Sequence, residues 1–225
     1  MITSGSIIPS FPVEQLTARE NFVSLLFYMD LLTFAGVQQG RSVLRIPNLT
    51  IKNLMYGYLR NGFEDTDVFR IDVWRFSDLM HAMAYRGEWQ AVFEFLAQEI
   101  EKQAAVRDYL DGEKMVQGFL LAYLNVTNYF LTWSERELGG GFADLYLEPF
   151  LARYPEMPYG YLIELKYIPK GAYTPARQAE QIEQARAQLQ QYAGDARVEA
   201  LASKVTLKKL ILVYKGWELV HCEAL

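Results

Sequence analysis

Tyr161-Leu162-Ile163-Glu164-Leu165-Lys166-Tyr167-Ile168 is the stretch whose reading decides the fold. Side chains alternate faces along a strand, so Glu164 and Lys166 point the same way, about 7 Å apart. Tyr161, Ile163, Leu165 and Tyr167 take the other face. Two ionisable groups on one side of an otherwise apolar strand are costly unless they are paired or bound to something. A plain strand-face salt bridge would meet that need, so the tripeptide alone specifies no chemistry.

Working outward, Gly140-Gly141-Phe142-Ala143-Asp144-Leu145-Tyr146-Leu147 reads as the preceding strand and brings a second carboxylate, Asp144. Two carboxylates with an ammonium beside them suit metal-dependent phosphodiester cleavage. Carboxylate oxygens hold a hard divalent cation, and such a cation activates water and offsets the charge developing on phosphorus.

The neighbouring segments predict an order of elements. Asp111-Gly112 precedes a helix from Glu113 through Leu124, with Asp111 as its cap and Glu113 in the first turn where the helix dipole favours an acid. Tyr129 to Glu135 has strand composition, Gly139-Gly140-Gly141 turns, and the Asp144 and Glu164 strands follow. Thr174-Pro175 opens a long helix reaching about Ala202. Leu207 to Tyr214 and Trp217 to Cys222 are two closing strands around a Lys215-Gly216 turn. The fold class is therefore α/β: helix, three strands, long helix, two strands.

With Asp144 on the second strand and Glu-x-Lys on the third, that order resembles the PD-(D/E)XK nuclease superfamily. More narrowly it looks like a bacterial branch in which such a domain follows an ATPase-like domain. The resemblance covers about the last half of the chain and extends to Phe22–Tyr28 and Leu44–Asn48. It implies a restriction-endonuclease-like core, with a mixed sheet flanked by helices, over residues 109–225. A helical N-terminal region over 1–108 is expected to pack on that core. It also implies a Mg²⁺- or Mn²⁺-dependent nuclease, acting on nucleic acid and most readily DNA, in the cytoplasm beside an ATPase-like partner. Asp144, Glu164 and Lys166 become catalytic. Asp144 and Glu164 are metal ligands, with Glu113 and the Leu165 carbonyl added to them. Gln188 and Tyr192 match the Gln-x-x-x-Tyr element of RecB-like members.

Helical spacing places Arg177, Gln181, Gln184, Gln188 and Tyr192 in one polar stripe. It reads either as a substrate-binding edge, with Arg177, Gln188 and Tyr192 touching the nucleic-acid backbone, or as a solvated face. Ile182, Ala185 and Leu189 lie beside it, toward the sheet. Departures from the superfamily pattern are Phe142-Ala143 where Pro precedes the aspartate, and no basic residue just before it. Glu135, Glu137 and Glu148 read as solvated.

The chain has 225 residues, 51% of them hydrophobic and 14% aromatic, enough to build a core over most of its length. One cysteine and two histidines exclude an internal disulfide and the usual zinc sites. Met115 to Ser134 carries no charge, but Gln117, Asn125, Thr127 and Asn128 interrupt it, so it reads as a buried helix running into a strand rather than a membrane span. Met1 to Leu16 lacks the build of a secretory signal. A net charge of −5 is unlike a typical DNA-binding surface, although Lys166, Lys170, Arg177 and Arg186 could make a basic rim. That acidity supports an alternative, an inactive nuclease-fold module serving protein contact or regulation. Binding to DNA would then need the metal, a partner or an oligomer.

In the first half, a helical region is predicted from Pro12 to about Phe34, a short strand or extended link at Ser42–Pro47, and a helix capped by Asn48. Two further helices follow, near Val73–Tyr85 and Trp89–Gln103, joined at Arg86-Gly87. No Gly-rich phosphate loop ending in Gly-Lys-Ser/Thr occurs, so any ATPase activity belongs elsewhere.

Overall fold

The structure is a computed structural model that describes residues 2–5, 7–8, 12, 18, 21–38, 41–65, 71–102 and 112–225. The chain divides into two compact units, Met1–Tyr56 and Gly57–Leu225.

In the first unit, β1 (Ile2–Gly5), β2 (Thr33–Gln38) and β3 (Arg41–Arg45) form an antiparallel sheet in the order β1-β3-β2. The N-terminal region is thus not purely helical. The helix expected to reach about Phe34 is α1 (Phe22–Tyr28), and it stops where Asp30 takes φ 57. Aspartate tolerates that left-handed conformation, and the chain then turns into β2. Asn48 caps α2 (Leu49–Asp65) as expected, its Oδ1 accepting from the Ile51 amide at 3.0 Å.

The second unit is built on a five-stranded mixed sheet in the order β4-β5-β6-β7-β8: β4 (Phe130–Leu138), β5 (Gly141–Pro149), β6 (Tyr159–Ile168), β7 (Thr206–Lys215) and β8 (Glu218–Ala224). Only β6 and β7 are parallel, and the connection between them carries α6 (Pro175–Tyr192) and α7 (Ala196–Ala202), as a parallel pair requires. The Thr174 hydroxyl caps α6 through the Arg177 amide at 3.1 Å. The single long helix expected through Ala202 is broken at Asp195. Its carboxylate accepts from the Arg197 amide to start α7 and from the Gly139 amide in the β4–β5 turn.

Both faces of the sheet are covered. On one, Tyr146, Leu162, Ile211 and Val213 pack with Ala185, Leu189, Val198 and Leu201 of α6 and α7. The other is met by α3 (Val73–Arg86), α4 (Gln90–Lys102) and α5 (Glu113–Leu124). There the buried Tyr161 hydroxyl donates to the Met83 carbonyl at 2.6 Å. Gly87, at φ 72, closes α3 at the joint expected from Arg86-Gly87. From Phe119 to Leu124 every residue of α5 is buried, which accounts for the uncharged stretch. No helix among the described residues is long and apolar enough to cross a membrane.

Candidate active site

The β5–β6 ladder pairs Leu147 with Tyr161, Tyr146 with Leu162 and Leu145 with Ile163. One further step of that register sets Asp144 opposite Glu164. At this point the strands fork, and the Leu165 amide donates to Asp144 Oδ2 at 2.8 Å, so a side chain takes the place of a ladder partner. The N–H and C=O of one strand residue point to the same side, which turns the Leu165 carbonyl into the same fork.

Glu164 is 1% exposed. Its Oε1 lies 3.0 Å from Lys166 Nζ, and its Oε2 is buried with no hydrogen-bond partner. Lys166 Nζ also donates to Gln188 Oε1 at 2.6 Å. Like charges facing each other across strands repel, and burial removes the water that would screen them. Burial first, and then the Asp144 charge, push the Glu164 carboxyl up to about 8, against the pull of Lys166. Burial also raises Asp144, opposed by the Leu165 amide and by Lys166. Without a cation, the two acids hold a proton between them near neutral pH.

Glu113 is exposed in the first turn of α5, yet desolvation and the Asp144 charge raise its carboxyl, with Lys166 and Lys114 opposing. It therefore stands within electrostatic reach of the fork. One turn on, Gln117, 5% exposed, donates to the Asp144 carbonyl at 2.9 Å. Lys114 donates to Gln117 Oε1 at 3.3 Å and pairs with Glu135. Sequence reasoning passed over Gln117, although its spacing of four from Glu113 puts both on one helix face. The helix opens at Gly112, φ 121; the expected Asp111 cap lies outside the described residues.

Tyr192 is 2% exposed and donates to the Phe142 carbonyl at 2.9 Å. Burial, then the charges of Glu164 and Asp144, push its hydroxyl up to about 12, while a hydrogen bond to Gln188 works the other way. Gln188 and Tyr192 thus border the acids. The rest of the stripe does not: Gln181 and Gln184 are exposed and bond to each other at 3.1 Å. Arg177 is exposed at the far end of α6, about 16 Å along the axis from Gln188. Arg186 does not supply a free basic rim, because Glu223 at 2.7 Å and Glu183 at 3.7 Å hold it. Glu148 is held by Arg136 at 3.3 Å and by Trp133 Nε1 at 3.2 Å rather than merely solvated.

Among the described residues, no group of three or more His, Cys, Asp or Glu side chains is gathered so as to hold a metal ion. What the fork offers a cation is oxygen: two facing carboxylates, one of whose buried atoms has no partner, and a backbone carbonyl. An all-oxygen set of this kind fits Mg²⁺ or Mn²⁺ with water filling the remaining positions, and does not fit zinc.

No curated protein and no solved structure matches the chain at a significant level. A family model does: that of the PD-(D/E)XK nuclease superfamily, over residues 111–224. The matched span runs from the helix of Glu113 to the last strand and contains the fork, Lys166 and Gln188. Half the chain and its entire five-stranded sheet lie within the match, and the protein belongs to the PD-(D/E)XK nuclease superfamily.

Proposed function

We propose that this chain is a divalent-metal-dependent nuclease hydrolysing phosphodiester bonds, with DNA as its substrate. The observation that carries the reading is the fork: Asp144 faces Glu164 across two strands, and the buried Glu164 Oε2 has no partner. Such an arrangement is costly for the bare protein and is relieved by a cation. Asp144, Glu164 and the Leu165 carbonyl hold the ion, and Glu113 supports it from α5. When bound, the metal supplies Lewis acidity and a lowered pKa for its water.

Lys166, fixed between Glu164 and Gln188, keeps a positive charge beside the attacking water and the scissile phosphate. Gln188 and Tyr192 form the wall against which the strand rests. Cations in the fork offset locally the net charge of −5, which would otherwise repel a polyanion. The chain lacks a Walker-type phosphate loop, so its placement beside a cytoplasmic ATPase-like partner, as the bacterial branch implies, puts that activity on another segment or chain.

The test is cleavage of plasmid and of single-stranded DNA with Mg²⁺ or Mn²⁺, together with calorimetric titration of Mn²⁺. Cutting is expected to vanish in Asp144→Ala and Lys166→Ala, and Mn²⁺ binding in Glu164→Ala. Cutting that persists in the double variant, or a wild-type chain that binds no Mn²⁺ at millimolar metal, defeats the proposal and favours an inactive nuclease-fold module.

A further inference from the structure

β4 changes face at Glu135. Before it, Phe130 packs its ring against Tyr161, centroids 5.7 Å apart, on the side of α3 to α5, and Thr132 is buried. After it Leu138, of the same parity, packs among the residues of α6 and α7. Glu135 has φ 51, a left-handed backbone that a residue with a side chain adopts only when its surroundings impose it. The switch has one direct product. Arg136, which unbroken alternation would set on the Phe130 side, is carried to the opposite face. Its guanidinium there lies 4.4 Å from the Trp133 ring centre and 5.2 Å from that of Tyr146. Glu148 Oε2 steadies it at 3.3 Å.

Arg136 thereby lines a cavity of about 420 Å³ between the ends of β4 and β5, the following turn and α7. Arg197 and Lys204 line it from the side of α7, and Glu148 is its one carboxylate. Three cations against one acid is a positive excess in a chain of net charge −5. Arg197 is held only by Asp195, at 3.7 Å. The floor between these charges is apolar, with Leu131 and Phe150. The volume is that of a small-molecule site. Positive charge around an apolar floor, with an arginine stacked on aromatic rings, is the chemistry that takes a phosphate and a base together. Tyr146 lies between this cavity and Asp144, which is about 13 Å away along β5, so the two are separate sites.

We propose that this cavity binds one nucleotide unit of a nucleic-acid strand, its phosphate between Arg136, Arg197 and Lys204, as a second anchor outside the cleavage centre. The identity of the ligand as a strand rests on the nuclease reading; a free mononucleotide shares the same chemistry. The test uses a short labelled single-stranded DNA oligonucleotide in EDTA, so that the metal site takes no part. Binding is followed by anisotropy over a range of salt for wild type, Asp144→Ala, and the double variant Arg197→Glu with Lys204→Glu, whose changed residues are on the surface of α7 and just beyond it.

The double variant is expected to bind at least tenfold more weakly, with a salt slope smaller by about 1.4, the value for two lost phosphate contacts on a single strand. Asp144→Ala should bind as wild type does. Equal binding by wild type and the double variant overturns the proposal. So does a site that takes thymidine monophosphate but from which the oligonucleotide cannot displace it. If binding depends on Arg197 and Lys204 while the metal-loaded wild type never cuts, the anchor stands and only the nuclease reading falls.

Discussion

Gln188 Oε1 accepts a 2.6 Å hydrogen bond from Lys166 Nζ, joining the third turn of α6 to the end of β6. With Glu164 at 3.0 Å on its other side, the ammonium is held from two directions rather than swinging on a flexible stem. A lysine so fixed has lost its rotamer freedom before any substrate arrives, which is what pre-organisation requires.

Replacing Gln188 with Leu should therefore reduce single-turnover cleavage by roughly 10- to 100-fold, with little change in Mn²⁺ affinity, since Gln188 touches neither carboxylate's free oxygen. Gln188→Glu retains an oxygen acceptor and should keep more activity than the leucine variant. Paired rate and calorimetry measurements check this; a parallel loss of metal binding would mean that Gln188 shapes the fork rather than the lysine.

The stability of the metal-free protein should fall as pH rises. Glu164 lies at about 8 in the folded chain against 4.5 ordinarily, so between those values the native state holds a proton that the unfolded chain has released. That contribution is complete below about pH 4.5 and is lost as pH passes through about 8. Allowing for its coupling to Asp144, the effect is on the order of 2 kcal/mol, or roughly 4–8 °C in Tm at this size. Calorimetric scans from pH 5 to 9 in EDTA should show the decline in wild type and a flatter profile in Glu164→Gln. Added Mn²⁺ should restore the wild type at the alkaline end, because the ion replaces the proton. Identical pH slopes in the two proteins would remove Glu164 as the cause.

Tyr161→Phe should destabilise the second unit by roughly 1–2 kcal/mol in urea unfolding, because it leaves the buried Met83 carbonyl without the 2.6 Å hydrogen bond it now accepts. Metal binding should be unaffected, since Tyr161 lies on the face of β6 opposite Glu164. A second unfolding transition in this variant would show that α3 and the sheet unfold as separate units.

Gly139→Ala should cost roughly 1–3 kcal/mol, again read by urea unfolding. Gly139 has φ 55, and a Cβ there would stand 2.8 Å from the Gln191 carbonyl at the end of α6. The same substitution at Gly57, where a Cβ would meet nothing within 4 Å, is the control and should change stability little.

Much of the site could be read from the chain because the features concerned are local. Alternation along β6 put Glu164 and Lys166 on one face, as found, and Thr174-Pro175 opened α6 at the expected residue. Gln188 and Tyr192 fell on one helix edge by spacing. What escaped were features set by distant partners. The switch of face at Glu135 has no residue signature, since glutamate is not a left-handed former. Asp195 looks like an ordinary residue of a long helix until its carboxylate is seen reaching Gly139, across an interval of 56 residues. The strand Thr33–Gln38 was hidden behind an apolar run that fitted a helix equally well.

Periodicity, caps and turn residues were enough to establish the order of elements in the second unit and the acids on adjacent strands, because each depends on backbone geometry over a few residues. Register was beyond them. Whether Asp144 stands opposite Glu164 or one residue away depends on how β5 and β6 slide past each other, and a single step would send one acid to the other side of the sheet. Packing of α6 against one face and α3 to α5 against the other selects that register, by burying Tyr146, Leu162 and Ile211 on the first and Tyr161, Ile163 and Leu165 on the second. The burial that selects the register also strips water from Glu164.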